Sequence, residues 1–213
     1  MLLIGMFDSP FVRRVAVSMQ LLDIGYEHAD WSIGRDFERI RQHNPLGRVP
    51  TLVLDDGEVL AESAAILDYL DDRVGPARAL LPAGGRERRE ALKQIALAMG
   101  AAEKGREQIY ERAFRPSDKH HPPWVERCRT QMHGGLGAIE RHCERLGSNT
   151  WLIGATLSQA DITVSCAFTF LREALRADDL SARYPRLAAR VDQRETLAAF
   201  KSTHVPFFPP GGE

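Results

Sequence analysis

The sequence has few cysteines and no excess of charge of either sign. Only three of the 213 residues are cysteine, too few and too odd in number for a disulfide framework, and none belongs to a CxxC pair. The 28 basic and 29 acidic side chains give a formal net charge of −1, which does not favour nucleic acid or an anionic membrane as a partner. We therefore expect a reducing, cytoplasmic location, with no nucleic acid and no membrane among the partners.

Long apolar runs are also absent. No stretch approaches the ~18 apolar residues of a membrane span. The start of the chain, MLLIGMFDSP, lacks the basic beginning and the apolar stretch of a signal peptide, so we expect none. A content of 44% hydrophobic and 27% charged residues is typical of a globular protein. At roughly 100–200 residues per domain, the length allows one large domain or two small ones.

The periodicity of apolar residues in the first third of the chain indicates a mixed α/β unit. The pattern predicts in order a strand at 2–6, an amphipathic helix at 9–25, a strand at 26–32 and a short helix at 36–42. The runs TLVLDD and EVLAE then flank Asp56-Gly57, a strong hairpin signal, and SAAILDYLDDRV has helical spacing. The predicted order is βαβαββα, with a parallel pair first and an antiparallel pair after it.

Beyond the segment GPARALLPAGG the pattern is helical throughout. Helices are predicted over 86–114, 124–146, 158–176, from Tyr184-Pro185 onward and over 195–201. We predict an α/β domain at 1–76, a linker at 77–87 and an all-helical domain at 88–213. Charge divides in the same way, since residues 1–78 carry 8 basic and 13 acidic side chains, and residues 79–213 carry 20 and 16.

Several segments, taken in order, resemble the cytosolic glutathione transferase family. NPLGRVPTLVLDDGEVLAESAAILDYL is similar to its thioredoxin-fold signature, SQADITVSCAF to its C-terminal capping segment and YPRLAARVDQRETLAAF to its penultimate helix. The opening SPFVRRV looks most like bacterial serine-type members. The resemblance implies a thioredoxin-like domain followed by an all-helical domain. It further implies glutathione as co-substrate, a small hydrophobic electrophile as second substrate, and a homodimer.

Ser9 stands at the position that matches the family's catalytic serine. The chemistry requires glutathione as a thiolate, and a free cysteine thiol titrates near ~8.5. A hydroxyl donor at a helix N-terminus would favour the anion, and Arg13 or Arg14 could add positive potential. Ser9 also suits a plain helix cap before Pro10. All three cysteines fall in the helical half, so we do not expect a protein thiol to act as the nucleophile.

The resemblance assigns glutathione to further positions of the first domain: Phe11, Arg48, Val49, Pro50, Glu62 and Ser63. In the family a cis-proline follows the residue whose backbone pairs with the cysteinyl part of glutathione, here Val49. Glu62 and Ser63 match the pair that receives the γ-glutamyl end, with Ser63 expected to cap a helix. Arg48 would pair with the glycine carboxylate or remain a solvated surface arginine, and Phe11 would pack beside the sulfur.

The electrophile pocket is expected between the two domains, with aromatic candidates Phe7, Tyr110, Phe114 and Trp124. For each of them taken singly, ordinary core or interface packing is the favoured interpretation. Ser158 and Asp161 form an S-x-x-D capping box with Leu157 and Ile162 as its hydrophobic staple, so we assign them a structural role. We expect no metal, since no His or Cys pair has the spacing of ligands that converge on one site.

Two hypotheses of function follow. The first is a glutathione transferase that activates the glutathione thiolate for attack on small electrophilic or halogenated compounds, with peroxide reduction as a further activity. The maleyl isomerase branch carries a Ser-Ser-Cys-Ser type loop, from which Asp8-Ser9-Pro10-Phe11 departs, and the reductase branches need a cysteine where Ser9 stands. The second is a non-catalytic member that binds a protein partner in stress or transcription regulation.

Overall fold

The first domain is built on a small mixed sheet. The structure, a computed structural model, describes residues 1–147 and 151–209, so the last four residues of the predicted helical domain lie outside it. The elements are β1 (Leu2–Ile4), α1 (Pro10–Leu21), β2 (Glu27–Ala29), α2 (Phe37–Arg41), β3 (Thr51–Val53), β4 (Val59–Ala61) and α3 (Ser63–Val74). The strands are ordered β2-β1-β3-β4. β1 pairs parallel with β2, and the β1–β3 and β3–β4 pairs are antiparallel, as predicted.

Alternation along β1 explains why the sheet has two covered faces. Successive strand residues point to opposite sides. Leu3 packs with Val12 and Ile66 in the core beneath α1 and α3, whereas Ile4 packs with Ile40 of α2 on the other face. All five side chains are fully buried. This two-sided burial fixes the end of β1, and hence the loop that leads into α1.

The second domain is helical. It contains α4 (Gly85–Ala113), α5 (Pro122–Leu146), α6 (Gln159–Ala174), α7 (Leu180–Arg183), α8 (Pro185–Glu195) and α9 (Ala198–Lys201), with short 3-10 turns at Ser117–Lys119 and Arg176–Asp178. The helix α6 is central, since every residue from Gln159 to Leu171 is buried. The short α7 was not predicted, and the predicted helix at 195–201 is confined to α9. None of the described helices is long and apolar enough to cross a membrane.

The two domains meet along α1 and α6. Val17 of α1 belongs to a buried cluster with Ile162 and Cys166 of α6 and Phe200 of α9. Arg13 donates to both carboxylate oxygens of Glu195, at 2.8 and 2.6 Å, across the same interface. The predicted α/β and all-helical architecture is therefore confirmed, with a buried interface that joins its two parts.

Candidate functional site

A cleft of about 800 Å³ opens between the two domains. Its first-domain wall includes Asp8, Ser9, Phe11, Trp31, Arg48 and Val49. Its second-domain wall includes Arg106, Tyr110, Phe114, Phe170, Phe207 and Phe208. The predicted residues Ser9, Phe11, Arg48, Val49, Tyr110 and Phe114 thus come together in one cleft, although they are up to 105 residues apart in the sequence.

Ser9 lies at the N-terminus of α1 without capping it. Its backbone is extended, with φ −74° and ψ 123°, and its carbonyl accepts the Arg13 amide at 2.9 Å. Its hydroxyl makes no capping hydrogen bond, and Pro10 at the first helical position has no N–H to offer. The first turn of a helix has unpaired amides and a partial positive charge. Ser9, Pro10 and Phe11 line the cleft, so among the described residues the Ser9 hydroxyl and this helix end are available there as donors to an anion.

Val49 presents unpaired backbone to the same cleft. The Val49–Pro50 peptide bond is cis, as the resemblance predicts. Strand β3 begins only at Thr51, and among the described residues the N–H and C=O of Val49 have no hydrogen-bond partner. Asn44 stabilises the loop that contains Val49, since its side-chain amide donates to the Arg48 carbonyl at 2.9 Å and to Thr51 Oγ1 at 3.1 Å. An extended ligand can pair with such an edge as an added strand.

Glu62 and Ser63 lie next to each other at the start of α3, but they do not line the cleft. The prediction that Ser63 caps the helix is wrong, because Glu62 occupies the cap position with φ 73° and Ser63 is the first helical residue. Ser63 is fully buried, and its hydroxyl accepts a hydrogen bond from Arg14 at 2.7 Å. Its amide belongs to the unpaired first turn of α3.

Arg13 and Arg14 point away from the cleft. Arg13 is paired with Glu195, and Arg14 donates to Ser63 and, at 3.4 Å, to Thr163 of α6. Burial lowers the pKa of Arg14 to about 10, against the opposing influence of Glu62. Neither arginine therefore supplies the expected positive potential in the cleft, because both guanidinium groups are used at the domain interface.

Besides Glu62 and Ser63, three further predicted residues lie outside the cleft. Phe7 stacks flat on His28, with ring centroids 3.8 Å apart, and packs against the core of the first domain. Pro50 is buried behind Val49. Trp124 lines a second hollow of about 530 Å³, which shares Tyr110 and Phe114 with the cleft. Sequence alone could not separate these positions from the cleft, since each is an apolar side chain near a predicted helix end or site loop.

The C-terminal tail contributes residues that sequence reasoning missed. The Phe207 amide donates to Glu173 at 2.9 Å, and the Phe208 amide donates to Asp8 at 3.3 Å. Phe207 also meets Phe170 edge to face at 5.5 Å. The segment VPFFPP carried a signal, two adjacent aromatic residues among prolines with no helical pattern. Arg106 carried none, because it is one of many polar residues on a long helix.

Burial shifts the pKa of two acidic groups that line the cleft, Asp8 and Tyr110. Burial raises the pKa of Asp8, against the lowering effect of the Phe208 amide. Burial also raises the pKa of Tyr110, which Arg106 and Arg48 oppose, so its hydroxyl stays protonated at neutral pH.

Two cysteines of the second domain, away from the cleft, are also affected by burial, which raises the pKa of Cys143 to about 11 and that of Cys166 to about 12. The described residues contain no group of three or more His, Cys, Asp or Glu able to hold a metal ion.

The N-terminus of α6, which lies away from the cleft, is capped by side chains of the protein itself. The Ser158 amide and hydroxyl donate to Asp161, at 3.0 and 2.7 Å, and complete the capping box. Asp161 also accepts the Leu152 amide at 2.9 Å and is paired with Arg194. Both side chains of this pair are at most 1% exposed. Leu157 packs against Ile162 in the cluster at the domain interface.

Comparison with known proteins identifies the family. The family model "Glutathione S-transferase, N-terminal domain" matches residues 3–78, and "Glutathione S-transferase, C-terminal domain" matches residues 122–189. A glutathione transferase family member from Pseudomonas fluorescens Pf-5, solved with bound glutathione, is 30% identical. The match covers 97% of this chain and 99% of that one, with a TM-score of 0.83. The chain therefore belongs to the glutathione S-transferase family, as the sequence resemblance predicted.

Two further relatives extend over nearly the full length. A glutathione S-transferase from Methylobacterium radiotolerans, solved in complex with glutathione sulfonate, is 28% identical with a TM-score of 0.89. The match covers 97% of this chain and 95% of that one. The GST-like protein YibF of Escherichia coli (strain K12) is 29% identical, with 97% of this chain and 99% of YibF covered. Both domains, and not only the thioredoxin-like one, thus have counterparts in these proteins.

Proposed function

We propose that this protein is a glutathione transferase that activates the glutathione thiol at the N-terminus of α1. The observation that carries the proposal is the Ser9 hydroxyl, which lines an aromatic cleft and makes no capping bond to its own helix. A hydroxyl donor and a helix N-terminus both stabilise a thiolate more than a thiol. Each unit by which they lower the thiol pKa corresponds to about 1.4 kcal/mol.

Glutathione would lie along the first domain. Its cysteinyl backbone would pair with the free N–H and C=O of Val49, and its glycine carboxylate with Arg48, whose side chain is exposed at the cleft. Its γ-glutamyl end would reach the start of α3 at Glu62 and Ser63. Bound glutathione in the Pseudomonas relative and bound glutathione sulfonate in the Methylobacterium relative support glutathione as the ligand of this fold.

The second domain would hold the electrophile. Phe11, Tyr110 and Phe114 supply apolar and aromatic surface suited to a small hydrophobic compound. In the reaction the sulfur of the thiolate forms a bond to an electrophilic carbon, and a leaving group such as chloride departs with its bonding electrons. The thiol proton goes to solvent. Burial of Tyr110 keeps its hydroxyl protonated and able to donate.

Calorimetry with glutathione and a conjugation assay with 1-chloro-2,4-dinitrobenzene test the proposal. We expect millimolar binding or tighter, turnover by the wild type, and a loss of roughly 10²-fold in kcat/KM in Ser9→Ala, as for removal of one positioned donor. Ser117→Ala, at an exposed position away from the cleft, serves as the control. Absence of glutathione binding would contradict the proposal. Equal activity in Ser9→Ala would remove Ser9 from the thiol site.

Three finer properties belong to the same proposal. We expect a homodimer, which light scattering in solution checks, and a cytoplasmic location, which cell fractionation checks. Peroxide reduction is a further expected activity, and cumene hydroperoxide in a coupled assay measures it. Glutathione is the only co-substrate that the proposal requires.

A further inference from the structure

The second-domain wall of the cleft carries an arginine that the binding of glutathione leaves unused. Arg106 lies on α4, beside Gly105, where a side chain would clash with Leu171 of α6 at 2.1 Å. This close approach of two long helices holds the backbone of Arg106 at the cleft. The guanidinium carbon is 5.7 Å from the ring centre of Phe11 and 5.6 Å from that of Tyr110. Arg106 therefore lies where an aromatic ring of the electrophile would be held.

Arg106 is poorly satisfied by the protein itself. Its Nε is buried and, among the described residues, has no hydrogen-bond partner. Among the described residues, its ion pair is with the adjacent Glu107, at 3.4 Å from one Nη, near the outer limit for a hydrogen bond. The side chain of Arg106 as a whole is 22% exposed, but its buried Nε has no access to water that could replace the missing partner.

The other charges of the cleft do not neutralise Arg106. Arg35 is engaged with Asp36 and the Asp30 carbonyl. Asp8, the one lining carboxylic acid among the described residues, holds the Phe208 amide, and its burial favours the neutral form. Arg48 stands on the first-domain wall, where one carboxylate of glutathione would pair with it. Among the described residues, the ionic contact of Arg106 on the electrophile side is thus limited to the long one with Glu107.

From this placement we propose that Arg106 selects electrophiles that combine an aromatic ring with a carboxylate. The proposal rests on the proposed glutathione transferase function and names the substrate class of that site. The carboxylate would accept hydrogen bonds from the Arg106 guanidinium, while the ring lies against Phe11 and Tyr110. Arg106 touches the substrate but not the reacting atoms, so it is a specificity-determining residue.

A matched pair of aryl chlorides tests this selection. In 4-chloro-3,5-dinitrobenzoate and its methyl ester, the glutathione sulfur forms a bond to the ring carbon that carries chlorine, and chloride leaves with its bonding electrons. The two compounds share their leaving group and nitro groups and differ in one negative charge. Their uncatalysed rates with glutathione differ, so each kcat/KM is divided by the corresponding uncatalysed rate constant. The ratio of the two normalised values is the charge preference.

We expect the wild type to prefer the acid by about tenfold or more, as for a hydrogen bond to a charged group. Arg106→Gln should abolish this preference, mainly through a higher KM for the acid, with little change for the ester. Arg106→Lys, which keeps the charge without the planar fork, should keep part of it. Arg112→Gln makes the same charge change at an exposed position of the same helix, and should leave the preference intact.

The outcomes distinguish a failure of the Arg106 proposal alone from a failure of the glutathione transferase proposal. A wild type that turns over both compounds without preference, or an Arg106→Gln variant that keeps the preference, would overturn the role of Arg106 and leave the transferase function in place. The wild-type comparison needs no variant, so misfolding of Arg106→Gln cannot hide a failure. Absence of glutathione binding in calorimetry would overturn both proposals together.

Discussion

Two of the described helices, α1 and α6, have a serine at the cap position before their first residue, and the two starts are built in opposite ways. At α1, Ser9 leaves its hydroxyl out of the cap and faces the cleft. At α6, Ser158 donates its amide and hydroxyl to Asp161, which also holds the Leu152 amide and Arg194. The same residue type thus serves two purposes. An open start offers donors to a ligand, whereas a closed start uses them to hold the fold.

The start of α3 stands between these two cases. Ser63 is buried and accepts from Arg14 on its inner side, while its amide remains in the unpaired first turn. A ligand at this amide would lie above a buried guanidinium. Substitutions at the three helix starts are therefore expected to differ in how much folding stability and how much glutathione binding each of them removes.

The largest effect is expected at the closed start. Asp161→Ala removes a buried carboxylate that pairs with Arg194 and accepts the Leu152 and Ser158 amides, so the free energy of unfolding should fall by about 3–5 kcal/mol. Chemical denaturation measures this change. Asp192→Ala, which breaks an exposed pair with Arg172, is the control and should cost at most about 1 kcal/mol. Full stability with lost activity in Asp161→Ala would contradict the structural role of Asp161.

A smaller, mixed effect is expected at α3. Ser63→Ala removes the acceptor of a buried arginine, so unfolding should become easier by about 1–3 kcal/mol, and the glutathione Kd should rise several-fold. Adding Arg14→Met removes the unsatisfied charge and should recover part of the stability, so the double variant will not be the sum of the two. Additive losses, or unchanged glutathione affinity in Ser63→Ala, would show that Ser63 is not the link between Arg14 and the ligand.

Ser158→Ala and Ser9→Ala, which compare the two cap serines directly, should have smaller effects on stability. Ser158→Ala should lower the free energy of unfolding by about 1 kcal/mol through loss of the cap. Ser9→Ala should change it by no more than about 0.5 kcal/mol, because the hydroxyl makes no capping bond. Denaturation of both variants under identical conditions measures the difference. Equal losses would mean that the α1 start is capped in solution and not open.

The smallest effect is expected from the cysteines. A thiolate fraction falls as the thiol pKa rises, and burial raises the pKa of Cys143 to about 11 and of Cys166 to about 12, far above pH 8. Cys128 is also buried, and its pKa is likewise raised. Iodoacetamide at pH 8 should therefore leave the native protein unlabelled by mass spectrometry and fully active. Rapid labelling with loss of activity would give a protein thiol a part in the reaction.

The sequence was most informative where local chemistry decides the structure. The Asp56-Gly57 hairpin, the S-x-x-D box at Ser158 and the domain order follow from short-range patterns and resemblance, and the structure contains all three. The cap at α3 was misplaced by one residue, since an exposed Glu62 with positive φ is not a recognisable cap. Arg106 and the Phe207–Phe208 tail were missed, because only tertiary packing brings them to the cleft.

The pKa of the bound glutathione thiol tests the open helix start most directly. Difference absorbance of the thiolate, followed against pH in the wild type and in Ser9→Ala, measures that pKa in each protein. The structure predicts a value below that of a free cysteine thiol, about 8.5, in the wild type, and a value higher by about one unit or more in Ser9→Ala. The same pKa in both proteins would contradict the role assigned to Ser9.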